Sequence, residues 1–94
     1  MTASNQPFDH LTLYHSPTCG YCMRVYRALD TMQIKIGGAN VASDYDARQL
    51  LRSQGGKTQV PALRIEHGNG KVQWMYESLD IINYLKTFKK SIAQ

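Results

Sequence analysis

Apolar residues recur along this chain with two different periods, and the switches between them outline the fold. Leu11-Thr12-Leu13-Tyr14 alternates as a short strand does, with Phe8 leading into it. Ser16-Pro17-Thr18 breaks the alternation. From Cys19 onward the apolar positions move to helical spacing. Cys22, Val25, Tyr26, Leu29 and Met32 fall on one face, while Arg24, Arg27 and Asp30 take the other. This predicts an amphipathic helix with the cysteines at its N-terminal end. Ile34 to Val41 predicts a second strand, blurred by Gly37-Gly38. Ala47, Leu50 and Leu51 mark the inner side of a second helix that Gly55-Gly56 ends. Leu63 and Ile65 then alternate with Arg64 and Glu66, Gly68-Asn69-Gly70 supplies turn residues, and Val72 and Trp74 alternate with Gln73. That is a hairpin pattern. A final helix opens near Glu77-Ser78 and buries Ile81, Ile82, Leu85 and Phe88. The resulting order, β-α-β-α-β-β-α, joins a parallel βαβ half to an antiparallel ββα half. It predicts an α/β fold with one four-stranded mixed sheet flanked by helices.

Length and composition narrow the setting. The 94 residues suit one domain, expected over 8–90, with a flexible start at 1–7 and a tail at 91–94. With 43 % hydrophobic residues the chain can bury a core without staples. No stretch approaches the ~20 apolar residues of a membrane span, so no membrane partner is expected. The polar start lacks the layout of a secretion signal, which makes a cytoplasmic location the expectation. Eleven Lys and Arg against seven Asp and Glu give a net charge of +4. That excess favours small anionic ligands. The basic residues are scattered (Arg24, Arg27, Arg48, Arg52, Lys57, Arg64) rather than gathered on one helix. Nucleic acid is therefore not an expected partner.

The two cysteines carry the chemistry. They stand three residues apart, too close for a disulfide between them to close a stabilising loop. Such a pair reads as redox-active or metal-binding. Zinc needs about four ligands, and His10, His15 and His67 lack a paired spacing, so no metal site is expected and these residues read as surface or strand-end histidines. A helix N-terminus carries free N–H groups and a partial positive charge that favours an anion, and a thiolate is what attacks a disulfide. Cys19 is thus the candidate nucleophile. Cys22, one turn later and facing inward, is the candidate resolving thiol.

Two further segments admit two readings each. Pro61 after Val60 either starts a strand with a trans bond or forms a cis-proline beside Cys19, with the Val60 backbone turned out to hold an extended peptide. Glu77-Ser78 either caps the last helix or offers its N–H groups and the Ser78 hydroxyl to a ligand carboxylate. Trp74, Met23 and Tyr26 read as packing residues rather than as a partner surface.

Taken together, CGYC at residues 19–22, Gln59-Val60-Pro61 and Glu77-Ser78-Leu79-Asp80-Ile81 stand in the order and spacing of glutaredoxins. The chain resembles that family over residues 8–88. QVP and ESLDI are similar to the glutathione-transferase-like glutaredoxins and to the N-terminal domain of glutathione transferases. The resemblance implies a thioredoxin fold with Pro61 cis and strand order 2-1-3-4. It implies glutathione as co-substrate and glutathionylated or disulfide-containing proteins as partners, acted on by a monomer. Cys19 would meet the glutathione sulfur and Tyr21 flank it. Val60 would pair with the cysteinyl backbone, Glu77 and Ser78 would take the γ-glutamyl end, and Gln59 or Lys57 would reach the glycyl carboxylate. Some departures stand out. Ser16 stands where many glutaredoxins carry lysine, with Arg24 a partial substitute. Gly20 replaces the proline of CPYC. Glu77-Ser78 replaces the usual Gly-Gly pair. The all-helical second domain of transferases is not represented, so conjugation is not the expected reaction. Two alternatives accompany the glutathione-dependent oxidoreductase. One is a carrier of a [2Fe–2S] cluster bridging a dimer through Cys19 and glutathione; the other is a thioredoxin-like reductase indifferent to glutathione.

Overall fold

The computed structural model describes Phe8 and residues 10–92; the expected flexible start at 1–7 and residues 93–94 lie outside the described residues. Seven elements follow in the predicted order: β1 (Leu11–His15), α1 (Gly20–Met32), β2 (Gly37–Asn40), α2 (Tyr45–Gly55), β3 (Ala62–Glu66), β4 (Val72–Met75) and α3 (Ser78–Ile92). The last helix continues past Lys90, through Ile92. The strands form one sheet in the order β2-β1-β3-β4. β1 runs parallel to β2 and antiparallel to β3, and β3 pairs antiparallel with β4. This is the mixed sheet and strand order of a thioredoxin fold.

Alternation along the central strands divides the interior into two layers. Leu11, Leu13, Leu63 and Ile65 point to one face, where Val25 of α1 and Ile81 and Leu85 of α3 cover them. Tyr14 and Ala62 point to the other, against Ala47 and Leu51 of α2, with Trp74 and Tyr76 packed alongside. The register keeps each set on its face, since Leu13 stands opposite Leu63 and Tyr14 opposite Ala62.

The helix ends show why α1 and α2 begin and stop where they do. Asp44 caps α2, its carboxylate accepting from the Ala47 N–H at 3.1 Å. Gly56 ends that helix in the left-handed region at φ 82. α1 ends on Gln33, a non-glycine residue at φ 55. There the Ile34 N–H reaches back to Leu29 O at 2.9 Å, and Lys89 of α3 donates to Met32 O. This clasp joins the C-terminal ends of α1 and α3.

Three expectations change. β2 starts only at Gly37, because the preceding Ile34 turns into the core off the end of α1 rather than joining the sheet. Leu50 is 37 % exposed, because Ala47 and Leu51 already fill the inner side of α2. Met23 is 45 % exposed, one position past the buried Cys22, on the outer wall of the first turn of α1.

Candidate functional site

The first turn of α1 sets the geometry of the cysteines. Cys19 occupies the N-cap position with an extended backbone, φ −91 and ψ 121, and its N–H donates to Ser16 O at 3.1 Å. Its side chain is half-buried, and the thiol donates to Val60 O across a 3.6 Å contact. Cys22, one turn on, has no exposed surface. Both cysteines are free thiols. Burial pushes the Cys22 thiol up to about 11, and the hydrogen bond and charge of Cys19 add to this while a backbone hydrogen bond from Ser16 opposes it. The pair is thus asymmetric, with an accessible sulfur at the helix mouth and a protonated one behind it.

Val60-Pro61 is a cis peptide bond, so of the two readings of this segment the cis one holds. Pro61 is buried beneath the helix mouth, and Val60 turns its carbonyl to Cys19.

Beside Cys19 lies a recess of about 250 Å³ lined by Tyr21, Gln59, Val60, Pro61, Tyr76, Glu77 and Ser78. The six residues singled out alongside the cysteines, spread over 58 positions of sequence from Tyr21 to Ser78, therefore share one wall system. Tyr21 stands 63 % exposed at its rim, with the Arg24 guanidinium 5.8 Å from its ring centre. Glu77 is exposed while Ser78 is 7 % exposed. The α3 ladder starts from Glu77, whose carbonyl accepts from the Ile81 N–H at 2.9 Å. Ser78 is therefore the first helical residue, and the cap position that serine was expected to fill falls to Glu77. The start of α3 borders the recess through Glu77 and Ser78, and the first N–H groups of a helix have no partner within it.

Tyr76 is the lining residue that sequence reasoning missed. Its hydroxyl donates to Gly55 O at 2.6 Å, and its ring stacks on Trp74 with centroids 6.4 Å apart. Lys57 stands over the same ring at 4.9 Å and lines the neighbouring recess with Arg48 and Arg52. The available signal was positional: Tyr76 immediately precedes Glu77. A larger recess of about 440 Å³ opens by the hairpin between His10 and Val72, but it holds neither cysteine. Among the described residues no three His, Cys, Asp or Glu side chains gather as metal ligands. No helix among them is long and apolar enough to cross a membrane.

A Cys-x-x-Cys at a helix N-terminus, facing a cis-proline on this sheet, defines a thioredoxin-fold protein of the glutaredoxin-like kind. The comparisons agree. Residues 13–88 match the family model described as glutathione S-transferase, N-terminal domain, and the chain belongs to that family. A glutaredoxin-like 8.6 kDa protein encoded in a rubredoxin operon of Clostridium pasteurianum is 30 % identical over 56 residues, 60 % of this chain and 75 % of its own length. Among solved structures, a trimeric glutathione transferase from Leishmania is similar with a TM-score of 0.64 and 29 % identity, over 80 % of this chain but 17 % of that one. A glutaredoxin from Populus tremula x tremuloides, in its holo form, matches at a TM-score of 0.61 and 21 % identity, over 84 % of this chain and 76 % of its own. That last likeness is one of fold.

Proposed function

We propose that this protein is a glutathione-dependent thiol–disulfide oxidoreductase that reduces protein–glutathione mixed disulfides and protein disulfides. The observation that carries the reading is the position of Cys19, whose sulfur lies against Val60 at the edge of a recess sized and lined for a small extended peptide. Membership of a glutathione transferase domain family supports glutathione as that peptide.

Each group has a defined part. The Cys19 thiolate attacks the glutathione sulfur of a mixed disulfide. The S–S electron pair leaves with the partner protein's sulfur, which takes up a proton. A second glutathione then attacks the Cys19 mixed disulfide, returns Cys19 as thiolate and leaves as oxidised glutathione. In an ordinary protein disulfide Cys22 attacks instead and closes the Cys19–Cys22 bond. The Val60 backbone and the Gln59 side chain hold the peptide extended, and the helix start at Glu77-Ser78 receives a carboxylate. Alignment of three sulfurs, set by binding energy from the peptide, lowers the barrier. A reducing compartment such as the cytoplasm, which keeps both thiols free, suits this chemistry, and a monomer is sufficient for it. Nothing in the described geometry favours the cluster-bridging alternative.

The test of the binding step is a titration of the Cys19→Ser protein with reduced glutathione, followed by amide NMR. Shifts are expected at Gln59, Val60 and residues 77–79. Absence of saturable shifts there, or shifts confined to the hairpin recess, contradicts the assignment.

A further inference from the structure

The recess beside Cys19 does not stand alone. Thr58, the residue before Gln59, lines a second recess of about 460 Å³ together with Arg48, Gln49, Arg52, Gly56 and Lys57. The two recesses share a wall. The Lys57 ammonium stands 4.9 Å from the centre of the Tyr76 ring, and Tyr76 lines the recess beside Cys19. Lys57 to Val60 is three residue steps, at most ~11 Å of chain.

Three cations and no carboxylate line this second recess. Among the described residues the only ion pair joins Arg64 to Glu66, which leaves Arg48, Arg52 and Lys57 without a carboxylate partner. Packing does not explain the cluster. All three are exposed, while Ala47 and Leu51 supply the buried side of α2. Arg52, in the last turn of α2, suits the helix dipole. Arg48 lies one turn earlier, and like charges four residues apart on a helix repel. A bound anion relieves that repulsion.

Glutathione supplies too little charge to do so. It carries two carboxylates, and one goes to the start of α3 in the reading above, leaving one for three cations. A protein disulfide brings more chain. With its cysteine sulfur at Cys19 and its backbone extended along Val60, the residues on one side of that cysteine pass Gln59 and Thr58 toward the second recess. Two to four residues at ~3.3 Å each cover the distance. Arginine is the side chain best shaped to take a carboxylate there.

We propose that Arg48, Arg52 and Lys57 form a docking subsite for acidic side chains beside the disulfide of a protein substrate, so that disulfides in acidic, extended segments are reduced in preference. The inference deepens the oxidoreductase reading and rests on Cys19 as the attacking sulfur. Attraction of this kind acts mainly on encounter and is screened by salt.

The test uses short cysteine peptides, each joined by a disulfide to a nitrobenzoate thiol and mixed with the reduced protein below saturation. The Cys19 thiolate bonds to the peptide sulfur and the S–S bond breaks. Its electron pair leaves with the yellow nitrobenzoate thiolate, the better leaving group. One peptide has two glutamates before the cysteine, one has them after it, and one has glutamines on both sides. At low salt one of the acidic peptides is expected to react about threefold to tenfold faster than the neutral one, and about 0.5 M salt should remove most of the gain. The double variant Arg48→Gln, Arg52→Gln should bring that ratio close to one. Lys86→Gln with Lys90→Gln, at exposed positions of α3, removes the same net charge and should leave the ratio in place. A ratio near one in the wild type overturns the proposal. Equal gains for both acidic peptides, or a ratio that falls as far in the lysine pair as in the arginine pair, also overturn it, since net charge alone gives those results. Cys19→Ser is expected to release nothing, and release at the wild-type rate overturns the oxidoreductase reading along with the proposal. Because no glutathione is present, a failure of glutathione binding leaves this measurement intact.

Discussion

Gly55→Ala inverts the usual effect of such a change. Gly55 is the last residue of α2, and in an open helix the substitution gains up to ~1 kcal/mol. Here a Cβ would sit 2.3 Å from the Tyr76 hydroxyl and 3.2 Å from Trp74 Cδ2. Tyr76 cannot simply turn aside, because its hydroxyl is bonded to the Gly55 carbonyl and its ring is stacked on Trp74. Moving it forfeits a hydrogen bond worth roughly 1 kcal/mol and an aromatic contact worth roughly 1 kcal/mol. Offset by the helix gain, the net loss is about 1 kcal/mol, or about 4–8 °C in Tm for a domain this small. Tyr76 also walls the recess beside Cys19, so glutathione affinity should fall together with stability. Urea unfolding followed by Trp74 fluorescence measures the first effect, and glutathione titration the second. Tyr76→Phe removes the clashing oxygen, so adding Gly55→Ala to it should cost less than adding it to the wild type. A Gly55→Ala protein more stable than wild type, with unchanged glutathione affinity, refutes the reasoning.

Other consequences follow from single contacts. Asp44→Ala removes the side-chain cap of α2 and should destabilise by ~1 kcal/mol in urea unfolding, whereas Asp44→Ser should recover most of it. Gln33→Gly should stabilise by up to ~1 kcal/mol, because the residue at φ 55 no longer strains a Cβ; an equal or lower unfolding midpoint contradicts this. Iodoacetamide at about pH 8 should add one label, at Cys19, since Cys22 is buried and titrates only near 11; mass spectrometry showing both sulfurs labelled at similar rates contradicts the asymmetry.

Much of the fold could be read directly, because alternation and helical spacing are local properties. Leu11, Leu13, Leu63 and Ile65 show their strands, and Cys22 and Val25 show the buried face of α1. The shortfalls concern how elements meet. Ile34 is as apolar as a strand residue, and only the left-handed turn at Gln33 sends it into the core before β2 begins. Leu50 matches helical spacing, but how far α2 is rotated against Tyr14 decides which of its apolar residues face inward. Tyr76 became a site residue through a contact with Gly55, 21 positions earlier, which no pattern within one element announces. His15 is the strand-end residue it was read as, and only its contact with Tyr26, 11 positions away on α1, went unannounced. The cysteines, Pro61 and Ser78 were legible for the opposite reason. Each sits at an element boundary, where residue type and backbone geometry are tied most closely.

The most direct test of the central claim is turnover of a glutathionylated peptide with reduced glutathione by the wild type, Cys19→Ser and Cys22→Ser. Loss of activity in Cys19→Ser, with a large part of the rate kept in Cys22→Ser, is the expected result. It follows because only the half-buried sulfur beside Val60 has to meet the glutathione disulfide. Cys19→Ser turning over at the wild-type rate, or all three proteins being inactive, contradicts the account.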